Sequence, residues 1–189
     1  MQQNGFALQY APENLKASRA IVLAAVQQNG LALQYASLEL KADREIVLAV
    51  VQQNVFALAY ASEDLKADRK FILDAVKQNV NAFIYAPENL KTDKEFILDA
   101  VKQNGLALEY AASELKKNRE IVAEAVQQNG AAIGYASEDL QADPEIKNIS
   151  ALGALKKTSI ERNEFKTGKF NSISSSDPSE TKRTNPLKL

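Results

Sequence analysis

Side chains that could bind a ligand recur in this sequence at an interval of 25 residues. Tyrosine occurs six times, always at this interval, and an asparagine stands six residues before each tyrosine. A row of amides and phenols could hydrogen-bond a ligand or stack on its rings. The residues include Asn29, Asn54, Asn79, Asn104 and Asn129, with Tyr35, Tyr60, Tyr85, Tyr110 and Tyr135. We expect structural roles instead, with asparagines that satisfy turn backbone and tyrosine rings that pack in a core with hydroxyls at a polar rim.

Lysine and arginine form two further rows at the same interval, and such rows could bind phosphate groups. The candidate phosphate-binding residues are Lys41, Arg44, Lys66, Arg69, Lys91 and Lys94. Acidic residues stand close to them in every copy, as Glu39, Asp43 and Glu45 do in one. The favoured interpretation is therefore a salt-bridged, solvated face, and binding of phosphate or nucleic acid is the alternative.

Two other rows differ from copy to copy, unlike the rest of the repeated pattern. One row reads Phe6, Leu31, Phe56, Asn81, Leu106 and Ala131, and the other reads Gln9, Gln34, Ala59, Ile84, Glu109 and Gly134. Repeat proteins bind partners through variable positions on a constant frame. The sequence therefore predicts a protein partner at the middle copies, in contact with Phe56, Ala59, Phe83, Ile84 and Glu109. Drift between duplicated units is the alternative explanation of the variation.

The composition does not indicate a catalytic, metal or cofactor site. The sequence contains no cysteine and no histidine, which excludes thiolate nucleophiles, Cys/His zinc sites and imidazole bases. Carboxylate pairs such as Glu63 and Asp64 recur along the pattern. Acid/base catalysis needs converging groups in a pocket, which a regularly repeated surface does not offer. We predict that the protein is not an enzyme and uses no cofactor.

The charge and hydropathy of the chain favour a cytoplasmic protein without a membrane span. The formal net charge is −1, so no strong field attracts nucleic acid or anionic lipid. Residues 1–150 carry 15 basic and 20 acidic side chains, whereas residues 151–189 carry 8 and 4. The longest apolar runs are far shorter than the about 20 residues that span a bilayer. The first ten residues lack the features of a signal peptide, and export as an effector stays open.

The strict period predicts an all-α array, namely an α-solenoid with a right-handed superhelix built from six 25-residue repeats of short helices. In one copy, Asp43 suits an N-cap, and Ile46, Val47 and Val50 follow on one apolar stripe. A second short helix and one helical turn, which could be 3₁₀, complete the unit. A single unit has too little apolar surface to fold alone, so its neighbours must supply the rest.

The dipeptide Asn-Gly that ends most of the long helices predicts a glycine in the left-handed conformation. Two copies have Val55 and Val80 in place of this glycine. Either these copies accept a strain of about 1 kcal/mol, or the turn is not left-handed.

The two ends of the array differ from its middle. The first copy lacks its leading helix, which indicates a fragment of a longer array or an edge that a second protomer covers, and hence a monomer or a dimer. In the last helix, Lys147 and Asn148 replace apolar residues, which predicts a cap. We expect the array to span residues 1–157, with the last helix ending near Gly153 to Lys157. Residues 158–189 should form a disordered, basic tail rich in Ser and Thr.

The unit D-R-E-I-V-L-A-x-V-Q-Q-N-G-L-A-L-x-Y-A-S-x-E-L-K resembles the repeat of the domain-of-unknown-function family 4116 over residues 1–150. The elements Asn-Gly, Leu-x-Tyr-Ala and Glu-Leu-Lys carry the resemblance. It implies an all-helical array of a kind common in bacteria and large viruses, including intracellular bacteria that export effectors, and it implies no reaction. The departures are Val55 and Val80, the missing first helix and the unmatched tail.

Together these observations predict a non-enzymatic helical repeat module that binds another protein. The alternatives are a surface that binds phosphate or nucleic acid, and a fragment of a longer protein without independent activity.

Overall fold

A computed structural model describes the backbone of residues 5–166 and the side chains of residues 7–155. Every regular element within residues 5–166 is a helix, which confirms the all-α prediction. Three kinds of helix alternate along the chain, one set in each 25-residue unit.

The long α-helices are Arg19–Gln28, Arg44–Val51, Arg69–Gln78, Lys94–Gln103, Arg119–Gln128 and Pro144–Lys166. The six-residue 3₁₀ helices are Gly5–Tyr10, Gly30–Tyr35, Val55–Tyr60, Val80–Tyr85, Gly105–Tyr110 and Gly130–Tyr135. The short segments are Glu13–Lys16, Leu38–Lys41, Glu63–Ala67, Glu88–Thr92, Leu115–Lys117 and Glu138–Ala142, all α-helical except Leu115–Lys117, which is 3₁₀. The predicted sequence of three segments is thus present, but the 3₁₀ geometry lies mainly in the second segment rather than the third.

The long helices begin where the sequence predicts. The Asp43 carboxylate accepts a hydrogen bond from the Ile46 amide at 3.0 Å, and Asn118 accepts one from Ile121 at 3.2 Å. Asp68, Asp93 and Asp143 make the same bond to the third residue after them. Ser18 occupies the equivalent position without a side-chain cap. These bonds satisfy amides of the first turn that have no partner within the helix.

The repeated asparagines follow the long helices up to Arg119–Gln128, and each begins the 3₁₀ helix that comes next. Asn104 has an extended backbone with φ −152° and ψ 110°, which stops the α-helix. Its side-chain oxygen accepts from the Leu106 amide at 3.1 Å, and the other four asparagines make the equivalent bond. Asn29, Asn54, Asn79, Asn104 and Asn129 thus each cap the 3₁₀ helix that follows them.

The glycines after these asparagines are not in the left-handed conformation, so that prediction is wrong. None of Gly30, Gly105 and Gly130 has a φ in the positive range. A lack of space explains two of them, because a Cβ on Gly105 would lie 2.3 Å from the carbonyl oxygen of Ala125 in the next unit. On Gly130 the Cβ would lie 2.2 Å from the carbonyl oxygen of Ser150. Val55 and Val80 occupy the same position because the turn there needs no left-handed residue.

The core runs from unit to unit along the chain. Each long helix packs against the next long helix, and each six-residue 3₁₀ helix packs against the next six-residue 3₁₀ helix. Ile46, Val47 and Val50 are fully buried between long helices, and Ala57 and Leu58 are fully buried in the 3₁₀ layer. Burial of this apolar surface by neighbouring units is the main stabilising contribution to the fold.

The last long helix runs to Lys166 and does not end near residue 157 as predicted. Ala154 stands where the other units have the helix-ending asparagine, so no side chain there caps a 3₁₀ turn. The boundary at 157/158 is therefore wrong for residues 158–166, and residues 167–189 lie outside the described residues. Lys147 and Asn148 are exposed, as expected for a polar cap.

The first described unit differs in burial from the later ones. Ile21 is 39% exposed, whereas Ile46, in the equivalent position, is fully buried. Tyr10 is 85% exposed. Leu8, by contrast, is only 4% exposed.

The close approach at Gly105 predicts that its replacement by alanine destabilises the protein. We expect Gly105→Ala to lower the free energy of unfolding by about 1–3 kcal/mol, because the added methyl group must displace a carbonyl oxygen. Gly134→Ala is the matched control, since a Cβ there has no atom within 4 Å. Urea denaturation followed by circular dichroism measures both variants. Equal midpoints would contradict the proposed packing.

Candidate functional site

The two variable rows of the sequence form a single surface. Their positions lie three residues apart, and residues i and i+3 of a 3₁₀ helix lie one above the other. The outer face of the described 3₁₀ helices therefore carries both rows. We call this surface the outer strip, which consists of residues 9, 31, 34, 56, 59, 81, 84, 106, 109, 131 and 134. The residues between the two rows face inward, as Ala57 and Leu58 do.

Four of the five predicted partner contacts are exposed on the outer strip. Phe56 is 65% exposed and Ile84 is 52% exposed, and Ala59 and Glu109 are also exposed. Phe83 is fully buried, so its selection as a partner contact is wrong. Its ring lies 5.6 Å, between centroids, from those of Phe96 and Tyr110.

Phe83 could have been recognised as a core residue from the sequence. The equivalent positions in the other units are Leu8, Leu33, Leu58, Leu108 and Ile133, all of them aliphatic. A column that is apolar in every unit indicates the core, whatever the size of one member.

The tyrosine hydroxyls link each unit to the outer strip of the preceding unit. The Tyr35 hydroxyl donates to Gln9 Oε1 at 3.1 Å, and the Tyr110 hydroxyl donates to Asn81 Oδ1 at 2.7 Å. A hydrogen bond to Glu109 raises the pKa of Tyr135. The rings of these three tyrosines pack against the core. A packed ring with its hydroxyl at a polar rim is the arrangement that the sequence predicts.

Two tyrosines depart from this arrangement. The Tyr60 and Tyr85 hydroxyls make no hydrogen bond among residues 7–155. The unit before Tyr85 offers only Phe56 and Ala59 at the outer strip, and neither side chain is an acceptor. Burial raises the pKa of Tyr85, and the neighbouring Tyr60 raises it further. Phe56, Ala59, Tyr60 and Ile84 form an exposed surface that we call the apolar patch.

The arginine row pairs with the next unit instead of facing solvent alone. Arg69 Nη1 lies 2.8 Å from Asp93 Oδ2, and its guanidinium carbon lies 5.0 Å from the centroid of the Phe96 ring. Arg44 contacts Asp68 and Asp74 in the same way and lies over the Phe71 ring. Lys94 Nζ lies 2.8 Å from Glu120 Oε2. Each basic residue thus bonds to the N-terminal turns of the following helix.

Two lysines of the lysine row, Lys66 and Lys91, are largely buried. Lys66 pairs with Glu63 and Lys91 pairs with Glu88, and the lysine side chains are only 13% and 20% exposed. Lys41 has no ion pair among the residues whose side chains are described. Five of the six candidate phosphate-binding residues therefore already contact carboxylates, which compete with phosphate for them.

Residues 7–155 contain no group of three or more acidic side chains arranged to hold a metal ion. Among the described helices, none has the length and hydropathy needed to cross a membrane.

Comparison with known proteins finds one family. The model of the family described as Domain of unknown function (DUF4116) matches residues 1–41, 43–91 and 93–141. Each of the last two matches covers 49 residues and so spans two of the 25-residue units. No curated protein and no solved structure matches the chain.

The ion pairs between units predict a stability that depends on acidic pH. A hydrogen bond from Arg119, with those from the Ile146 and Glu145 amides, lowers the pKa of Asp143 from 3.8 to about 2. The unfolded chain therefore takes up this proton first, and the contribution of Asp143 is complete above about pH 4 and lost as the pH falls towards 2.

We expect Asp143→Asn to be less stable than the wild type at pH 7 and to approach it at pH 2. Asparagine keeps the cap, as Asn118 does in the preceding unit, but removes the charge. Urea unfolding at pH 7, 4 and 2 measures the difference, and a difference that does not change with pH would contradict the assignment.

Proposed function

The chain belongs to the DUF4116 family, and from this premise we propose that it is a non-enzymatic repeat module that binds another protein through the outer strip. The proposed frame is an α-solenoid of six 25-residue units with a right-handed superhelical twist. Its continuous core and the contacts between successive helices support this proposal.

The observation that carries the proposal is the apolar patch. Phe56 and Ile84 are more than half exposed on adjacent 3₁₀ helices, in a strip whose neighbouring positions hold Gln34 and Glu109. Exposed aromatic and aliphatic side chains that are grouped together and surrounded by polar residues are typical of protein interfaces. A surface that only kept the protein soluble would not need them.

The rigidity of the frame favours binding. The asparagine caps fix the backbone at the start of each six-residue 3₁₀ helix after Gly5–Tyr10. Arginine pairs join successive long helices. A surface that is ordered before the partner arrives loses little conformational entropy on binding.

The acidic side chains support a non-enzymatic role. Asp43, Asp93 and Asp143 cap helices and accept from arginines, and these contacts lower the pKa of each of them. Such residues stay ionised at neutral pH and are poor general acids. The proposed compartment is the bacterial cytoplasm, which a chain without cysteine suits because it needs no disulfide.

Two carboxylates placed in the apolar patch test the proposal. We expect the double variant Ala59→Glu, Ile84→Glu to lose at least about a hundredfold in affinity for the partner, because both charges would be buried without a counter-ion. Affinity capture from a bacterial lysate at low and high salt, quantified by mass spectrometry, measures the loss. Circular dichroism must show that helicity is retained.

Gly134→Glu is the matched control, because it places the same charge on the outer strip away from the patch. This variant should capture the partner as the wild type does. Equal capture by the double variant would contradict the proposal, as would recovery of nucleic acid alone that is lost at high salt.

A further inference from the structure

The apolar patch interrupts the hydrogen bonds that link tyrosines to the outer strip. In two units the second position of the strip supplies the acceptor, which is Gln9 for Tyr35 and Glu109 for Tyr135, whereas Gln34 makes no bond to Tyr60. Where Ile84 occupies the second position, Asn81 in the first position accepts from Tyr110 instead. The unit with Phe56 and Ala59 supplies neither acceptor. The Tyr85 hydroxyl is therefore a donor available to a bound molecule, beside exposed apolar side chains.

The size of the patch indicates a short segment rather than a folded domain. Phe56, Tyr60 and Ile84 are 65%, 37% and 52% exposed. Since large side chains bury about 150–250 Å² each, the patch offers about 300 Å². A stable interface between folded proteins buries about 800 Å² on each side. One large apolar side chain, with the backbone on either side of it, would cover the patch.

The unpaired hydroxyls favour an extended segment over an α-helix. The carbonyl groups of an α-helix are bonded within the helix, so they do not serve as ready acceptors for a tyrosine. An extended segment leaves carbonyls free. Tyr60 and Tyr85 lie close enough for Tyr60 to raise the pKa of Tyr85, so both hydroxyls could donate to the same segment.

Two exposed carboxylates close to the patch in sequence favour a basic segment. Glu63 and Glu88 follow Tyr60 and Tyr85 by three residues, and their side chains are 89% and 83% exposed. Each pairs with a lysine of its own unit, but an exposed pair is weak and leaves the carboxylate able to accept again. Basic residues of a bound segment are therefore favoured on the carboxylate side.

We infer that the apolar patch binds an extended peptide segment with one large apolar anchor residue and a Lys or Arg close to it in sequence. The anchor lies over Ala59 between Phe56 and Ile84. Tyr60 and Tyr85 donate hydrogen bonds to backbone carbonyls of the segment, and the basic residue lies near Glu63 and Glu88. This inference rests on the proposed function and names the class of partner.

Selection from a display library of random 12-residue peptides tests the inference. The full chain is the target, and the variant Ala59→Gln is used for counter-selection, because a glutamine there occupies the position of Gln9, which accepts from Tyr35, and would supply an acceptor for Tyr85. We expect the selected peptides to share one large apolar residue with Lys or Arg within four positions, and to lack helical periodicity.

A fluorescent peptide with the selected consensus then measures affinity for single variants. Tyr85→Phe, which removes only the hydroxyl, should weaken binding about five- to tenfold. Phe56→Ala should weaken it more than tenfold. The pair Glu63→Gln, Glu88→Gln should reduce both affinity and its dependence on salt. Gly134→Gln is the control on the same strip and should bind as the wild type.

Three outcomes would overturn the inference. They are peptides with apolar residues at helical spacing, peptides with acidic flanks, and wild-type affinity in Tyr85→Phe when Phe56→Ala abolishes binding. Each would leave the proposed function intact, since binding would still depend on the patch. Failure of the proposed function is a different result, in which the Ala59→Glu, Ile84→Glu variant captures the protein partner as the wild type does.

Discussion

Burial of each long helix by the next is the interaction on which this structure depends. Val47, Ile72, Ile97 and Val122 occupy one position of the unit and are all fully buried between neighbours. Lys147 holds this position in the last helix and is exposed. Because the buried surface belongs to pairs of units, no unit carries a complete core of its own. Every other feature, including the surface of the 3₁₀ helices, is held in place by this stacking.

The repeated asparagine places a layer of 3₁₀ helices beside the layer of stacked long helices. Its extended backbone stops the α-helix, and its side chain starts a 3₁₀ helix in the same place each time. The last helix has no asparagine at this position. Ala154 stands there without a capping oxygen, and the helix continues to Lys166. The asparagine side chain thus decides whether the chain turns into the layer of 3₁₀ helices or continues as an α-helix. The outer strip exists because the turn is repeated.

The sequence predicts features that depend on one unit and misses those that depend on two. The N-cap of Asp43 and the buried stripe after it follow from local propensity and periodicity, so both were predictable. The need for a glycine at Gly105 does not follow from the sequence, because the carbonyl group that excludes a Cβ there belongs to Ala125 in the next unit. Phe83 belongs to a column that is apolar in every unit, so its burial follows from the sequence and its choice as a partner contact is wrong. The ion pair between Arg69 and Asp93 is also not predictable from the spacing of residues, because it depends on which side of one unit the next unit packs.

The hydrogen bonds of the tyrosines argue against drift as the cause of variation on the outer strip. Random change would replace acceptors without regard to the neighbouring position. Instead, the unit with Ile84 keeps an acceptor by placing Asn81 one turn earlier, and Tyr110 bonds to it. Tyr60 and Tyr85 make no hydrogen bond among residues 7–155. For Tyr85 the preceding unit offers Phe56 and Ala59 instead of an acceptor, and the Phe56 ring is exposed. An internal hydrogen bond contributes about 1 kcal/mol, so its loss together with a new apolar surface opposes stability and solubility at once. The partner that we propose would offset both effects, since it would cover the ring and supply the missing acceptor.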